Sequence, residues 1–134
     1  MNNKRLIDKA SVLIKTRKKN TGLFADVGCA LFAGNGKVYL GVCAAGGSNV
    51  ICAEQIAIGS MITDGEYRII KIVAVWKNNK NIKHIISPCG NCRQFIYETH
   101  EDNLETEIIL DVDKTELLKD LLPYHNWWCK QDTN

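Results

Sequence analysis

Apolar residues Leu6, Ile7, Ala10, Leu13 and Ile14 recur at the interval of one helical face, so the spacing predicts a first helix from about Asn3 to Lys19. Asn20, Thr21 and Gly22 stop it. The period then changes to two. From Ala25 to Ala33 the odd positions are Ala25, Val27, Cys29, Leu31 and Ala33, and Gly34-Asn35-Gly36 leads into a second extended run from Lys37 to Ala44. That pattern predicts a β-hairpin. Ala45 to Asn49 form a Gly-rich approach to Cys52, from which a second helix should run to about Asp64-Gly65. Ile69 to Trp76 reads as a buried strand, followed by a polar loop from Asn78 to Asn81 and a short apolar delivery through His84, Ile85 and Ile86. A third helix is expected from about Gly90 to Thr99, a strand from Glu107 to Leu110, and a terminal helix from Thr115 to Leu122 closed by Pro123.

This order implies an α/β fold, with a mixed sheet of four to five strands covered by helices on both faces. The first two strands should be antiparallel, and the two strand-helix units that lead into the helices beginning near Cys52 and Gly90 should run parallel to one another through right-handed crossovers. Asp111-Val112-Asp113-Lys114 leaves room for only a very short fifth strand. At 134 residues the chain fits one domain spanning residues 1–134.

Composition narrows the classes of function. The formal net charge is +2 and no basic run is interleaved with aromatic residues, which argues against an extended nucleic-acid surface. Lys15, Arg17, Lys18 and Lys19 are the densest basic stretch and read as a solvated face at the end of the first helix. Asp8 and Lys9 interrupt any apolar core after the amino terminus, so no signal peptide is expected. No apolar run approaches the ~20 residues of a spanning helix. A cytoplasmic protein with reduced thiols is therefore expected for the six cysteines.

Two motifs carry the chemistry. Cys52-Ala53-Glu54 and Pro88-Cys89-Gly90-Asn91-Cys92 supply three soft metal ligands and one carboxylate. Three thiolates leave a tetrahedral Zn2+ ion with one open position, the mark of a catalytic rather than a structural site. Zinc lowers the pKa of water there, and Glu54 can carry protons between that water and a substrate. Cys89 and Cys92 stand three residues apart, on one face of a helix. Helix starts aimed at the sulfurs would offset the negative charge of three thiolates. An isolated Cys-x-x-Cys would equally suit half of a structural zinc knuckle or a redox pair. Of the remaining cysteines, Cys29 alternates with apolar strand residues and reads as a small core side chain.

These motifs resemble the zinc-dependent nucleoside deaminases, the cytidine deaminases and blasticidin S deaminases. The resemblance runs through Val27-Gly28-Cys29-Ala30-Leu31, Gly41-Val42, Ile51 to Ile58, Ser87 to Gln94, and Glu116-Leu117-Leu118 to Leu122-Pro123. It implies a three-layer α/β/α fold, with Cys52, Cys89 and Cys92 as zinc ligands and Glu54 as proton shuttle in hydrolytic deamination of a cytosine moiety. It further implies that the backbone around Ala53, Ser87 and Cys89 recognises the base, and that a homo-oligomer, a tetramer, forms. The family's polar pair after the second strand is replaced here by Cys43-Ala44-Ala45, and the family aromatic before Val27 is displaced to Phe24, with Asp26 next to Val27. Phe24 is a candidate for base stacking or for the core. Asp26 is a candidate for meeting a cationic or hydroxyl-bearing substituent, or a solvated strand-end acid. Cys43, Tyr124 and Trp127 complete the candidate substrate residues, the last two as terminal aromatics that close over a substrate or anchor an interface. Arg93 is expected to hydrogen-bond the thiolates or to form an exposed salt bridge. The small-molecule partner expected is a cytosine nucleoside or analogue, with no nucleic acid and no membrane. Two other classes stand beside it: a noncatalytic zinc-stabilised binding module, which needs a fourth strong ligand, and a polynucleotide cytosine deaminase, which needs a basic groove.

Overall fold

The computed structural model describes residues 1–126 and 128–132. Helix α1 spans Asn3–Ser11, and the Asn2 side chain caps it by accepting from the Arg5 N–H at 2.9 Å. Its apolar face, Leu6 and Ala10, is continued by Ile14 and packs on Ala30, Val73, Val75 and Ile109. The helix ends well short of the expected Lys19. The Lys15 N–H donates to the Ala25 carbonyl at 3.0 Å, which draws the chain into strand β1, Arg17–Lys19, antiparallel to β2, Gly22–Ala33. The basic stretch therefore lies on a strand rather than at a helix end.

The predicted hairpin is present. β2 pairs antiparallel with β3, Val38–Ala45, and Gly36 takes the positive φ of +82° that the turn between them needs. A two-residue β4, Val50–Ile51, follows on the outer edge of β3 and leads directly into α2, Ala53–Thr63. That helix stops at Asp64, with Gly65 at φ +86°. β5, Ile69–Lys77, pairs antiparallel with the other side of β2, so β3 and β5 run in the same direction, as expected.

His84, Ile85 and Ile86 belong to a strand, β6 (Lys83–Ile86), that folds back on β5. Helix α3, Gly90–Thr99, matches its expected bounds and is followed by a 3-10 turn over Glu101–Glu105. β7, Glu107–Asp111, then joins β5 in parallel. The expected terminal helix is mostly strand: Lys114–Leu117 forms β8, hairpinned onto β7, and α4 is only Leu118–Leu121. A turn at Val112 and Asp113 suffices, with the Val112 N–H donating to Asp111 Oδ1 at 2.7 Å.

Among the described residues the mixed sheet has eight strands, in the order β4-β3-β2-β5-β7-β8 with β1 on β2 and β6 on β5. The four to five expected strands are exceeded because β1, β4, β6 and β8 are short edge segments whose periodicity is too brief to read. Helices cover both faces as expected. α1 lies on one, while α2, α3 and α4 bury Ala57, Ile58, Met61, Ile96 and Leu118 against the other.

One close approach sets the position of α2. A Cβ at Gly41 would come within 2.6 Å of both the Ala53 carbonyl oxygen and the Ala57 nitrogen, so β3 and the helix backbone touch. Gly41→Ala should displace the first turn of α2 and destabilise the protein by about 1–3 kcal/mol, the usual cost of overpacking. The measurement is the urea midpoint, and an unchanged midpoint would show that the helix gives way freely.

Candidate metal centre and adjoining cavities

Both motif segments end at helix starts. Cys52 is the N-cap of α2 and Cys89 the N-cap of α3, while Cys92 lies in the first turn of α3 and is fully buried. Gln55 Oε1 accepts from the Cys52 N–H at 2.9 Å and fixes the entry into α2. The three sulfurs lie within 4.8 Å of one another. Tetrahedral zinc with bonds of about 2.3 Å separates its sulfur ligands by about 3.8 Å, so small side-chain movements would close this set on an ion. The three thiols are the whole group, which leaves the fourth position without a protein ligand among the described residues.

The electrostatics favour a cation. Burial, then the nearby Glu54 carboxylate, pushes the Cys92 thiol far above its ordinary pKa, and burial does the same more mildly to Cys52. The exposed Cys89 is pulled down, chiefly by the Cys92 N–H, with the Asn91 N–H adding to it, as expected of a thiol at a helix N-terminus. Three sulfurs this close become thiolates together only if a positive ion shares them.

Glu54 is 6% exposed and stands outside the sulfur group. Burial raises its pKa, opposed by its own backbone N–H and by Cys92. A carboxyl shifted in that direction beside a metal site is suited to taking up and releasing protons.

A cavity of about 260 Å³ opens beside these groups, lined at one end by Cys52, Ala53, Glu54, Ser87 and Cys89 and elsewhere by apolar side chains including Val27, Val50, Ile51 and Ile86. Cys43 lines it too. The structure thus gathers six expected site residues, Cys52, Ala53, Glu54, Cys43, Ser87 and Cys89, around one hollow, with Cys92 beneath it. The apolar wall was not foreseen. The flexible approach was expected over Ala45 to Asn49, and the position of Val50 and Ile51 directly before Cys52 was the signal that could have placed them in the wall.

Phe24 and Asp26 do not line this cavity. β2 bulges between Phe24 and Gly28, opposite Ala44 and Val42, and Ala25 sits at φ +62°. The Phe24 ring lies over Gly22 instead. Asp26 faces a second hollow of about 640 Å³, bounded by Leu23, Trp76, Lys18, Lys77 and the Asn78–Asn81 loop. The Cys43 thiol donates to Asp26 Oδ1 at 2.9 Å, and burial followed by this bond keeps the thiol protonated. Tyr124 is 97% exposed, away from the hollow, and Trp127 lies outside the described residues. The segment before it is held to α3 by Gln94 Nε2 donating to the His125 carbonyl and by the Tyr97 hydroxyl on Asn126.

Among the described residues Arg93 meets neither a thiolate nor a carboxylate. Its three nitrogens donate to the Pro88 carbonyl, the Leu121 carbonyl and Ser87 Oγ at 2.9–3.0 Å, pinning the Ser87-Pro88 loop to the end of α4.

A three-layer α/β/α fold thus brings three thiols that could hold a metal ion to paired helix starts, with a buried carboxylate beside them. Residues 1–106 match the cytidine and deoxycytidylate deaminase zinc-binding region, and the chain belongs to that family. It is 42% identical over 74 residues to a cytidine deaminase of Mycoplasma genitalium, covering 54% of each chain. A blasticidin-S deaminase of Bacillus cereus is 38% identical over 61 residues, covering 42% of this chain and 43% of the relative. The chain thus spans about half the length of the curated relatives it matches. The crystal structure of a cytidine deaminase from Burkholderia pseudomallei superposes with a TM-score of 0.71 at 27% identity, over 92% of this chain and 98% of that one.

Proposed function

We propose that this protein hydrolytically deaminates the cytosine moiety of a free nucleoside or nucleoside analogue, releasing ammonia and the uracil form. The observation that carries the proposal is the placement of Cys52, Cys89 and Cys92 within 4.8 Å of one another at a cavity that Glu54 also lines. Cys52, Cys89 and Cys92 would hold the zinc, which supplies a Lewis-acidic open position where water becomes a nucleophile near neutral pH.

The chain's own groups do the rest. Glu54 takes the proton from the attacking water and delivers it to N3 of the ring as C4 is attacked. It then carries a second proton to the amino nitrogen, so that ammonia leaves. The backbone of Ala53 and the Ser87-Pro88-Cys89 loop hold the base edge, and the Arg93 bonds to Ser87 and Pro88 keep that loop in place. Val27, Val50, Ile51 and Ile86 give the ring an apolar wall to pack against.

We further propose a homo-oligomer, a tetramer as the family resemblance implies, in which the exposed Val50 beside the cavity would be available for contact. Among the described residues no helix is long and apolar enough to cross a membrane.

The test is direct. Zinc-loaded protein is given cytidine, deoxycytidine, blasticidin S and cytosine, and ammonia release and the ultraviolet change are followed. Turnover of at least one nucleoside is expected. Zinc-loaded protein inert towards all four would sink the proposal in favour of a zinc-stabilised binding module.

A further inference from the structure

We propose that Asp26 sets substrate specificity, its carboxylate receiving a hydrogen-bond-donating substituent, a hydroxyl or an ammonium, on the part of the nucleoside remote from the departing amino group. The inference rests on the deaminase function proposed above. Its first support is the lining of the metal-side cavity. Beyond the three thiols at its wall, Glu54 and Ser87, the side chains there are apolar: Val27, Ala44, Ala45, Val50, Ile51 and Ile86. A sugar or comparable polar group leading away from the base would meet no polar partner in that wall, and an unmatched hydroxyl costs binding energy.

Asp26 stands directly behind the wall. Cys43 lines the metal-side cavity and donates its thiol to Asp26 Oδ1, while Asp26 itself lines the larger hollow. The Cys43–Asp26 pair is thus the partition between the two spaces. A thiol is a weak donor, so a hydroxyl or ammonium would be a stronger partner for the carboxylate than the one it now has.

The carboxylate also has capacity to spare. Among the described residues no ion pair involves Asp26, although Lys18 and Lys77 line the same hollow, and no side-chain hydrogen bond reaches Oδ2. The backbone supplies an independent sign. Ala25, immediately before Asp26, is held in the left-handed region at φ +62° within the β2 bulge, and bulges of this kind re-aim a side chain at the cost of local strain.

The occupant this chemistry fits is an unphosphorylated cytosine nucleoside or analogue with a donor-bearing sugar or sugar substituent. The experiment compares kcat/KM of the zinc-loaded wild type and Asp26→Asn on four compounds: cytidine, 2′,3′-dideoxycytidine, 3′-amino-2′,3′-dideoxycytidine and cytidine 5′-monophosphate. The wild type should prefer a donor-bearing nucleoside over the dideoxy compound by about ten- to a hundredfold, the range of a hydrogen bond to a charged group. Asp26→Asn should bring that ratio close to one, mainly through KM. A loss for both donor-bearing compounds, larger than any loss for the dideoxy compound, supports the assignment.

A wild-type ratio near one overturns the assignment, as does an unchanged ratio in Asp26→Asn. Preference for the 5′-monophosphate that disappears in Lys18→Ala or Lys77→Ala also overturns it, because the larger hollow would then be reading an anion. If Asp26→Asn binds zinc poorly or melts early, Cys43→Ala is the second variant. It frees Oδ1 and must keep or raise the wild-type ratio, and a fall to one overturns the proposal. A wild type that turns over none of the four overturns the deaminase function as well, whereas turnover with no dependence on Asp26 overturns only the specificity role.

Discussion

Glu54→Gln should lower kcat by about two to four orders of magnitude, the usual contribution of general acid-base catalysis, with zinc content unchanged. The substitution keeps the shape of the side chain and its place in the first turn of α2, and Glu54 is not one of the clustered ligands. It removes only the capacity to carry a proton. Glu54 is suited to that task because burial raises its affinity for protons, while its own N–H and Cys92 limit the rise. In the proposed reaction the same oxygen pair must take up the two protons of the attacking water in turn and deliver one to the ring nitrogen N3 and the other to the departing amino nitrogen, and an amide can do neither. Single-turnover ammonia release measures the effect, with zinc analysis and a thermal melt as controls. Turnover close to wild type in a zinc-replete Glu54→Gln protein would remove Glu54 from the mechanism, even with deamination established.

The metal site was legible in the sequence because its chemistry is written locally. Cys89 and Cys92 share a helix face by spacing alone, and Cys52 places Glu54 in the first turn whatever the tertiary fold, so only the meeting of the two helix starts needed the structure. The long strands and α3 were legible for a similar reason, since nine or more residues carry a period. The basic run from Lys15 was misplaced because a side-chain pattern cannot show the Lys15 bond to the Ala25 carbonyl that ends α1 and starts β1. A very short last strand was expected, but the residues of β8 were assigned to the terminal helix because Lys114–Leu117 is half-buried on one sheet edge, where a helix and a strand expose similar residues. The substrate side was hardest to read. Whether Phe24 or Asp26 faces the metal depends on a bulge in which four steps along β2 oppose two along β3, and a slip of one residue reverses a side chain. Ala25 at φ +62° carries no sequence signal, because alanine rarely adopts that conformation.

Cys92→Ala should abolish both zinc retention and turnover, and should melt on the order of 10 °C below the zinc-loaded wild type. The reasoning starts from burial. Cys92 is fully buried, and desolvation together with Glu54 holds its thiol neutral when no cation is present. A neutral thiol is a small apolar side chain, so exchanging it for alanine costs the metal-free protein little. The loss should therefore come from the metal rather than from packing. Binding zinc must displace the protons of Cys92 and Cys52, both raised by burial, so affinity should weaken as pH falls and binding should release protons into a lightly buffered solution. Chelated wild type and Cys92→Ala should consequently melt together, with the zinc-loaded wild type above both. The comparison separates the two causes. If Cys92→Ala melts far below the chelated wild type, Cys92 acts mainly in the core. If it keeps a full complement of zinc against a competing chelator, the three-sulfur ligand set is wrong and another group must hold the ion.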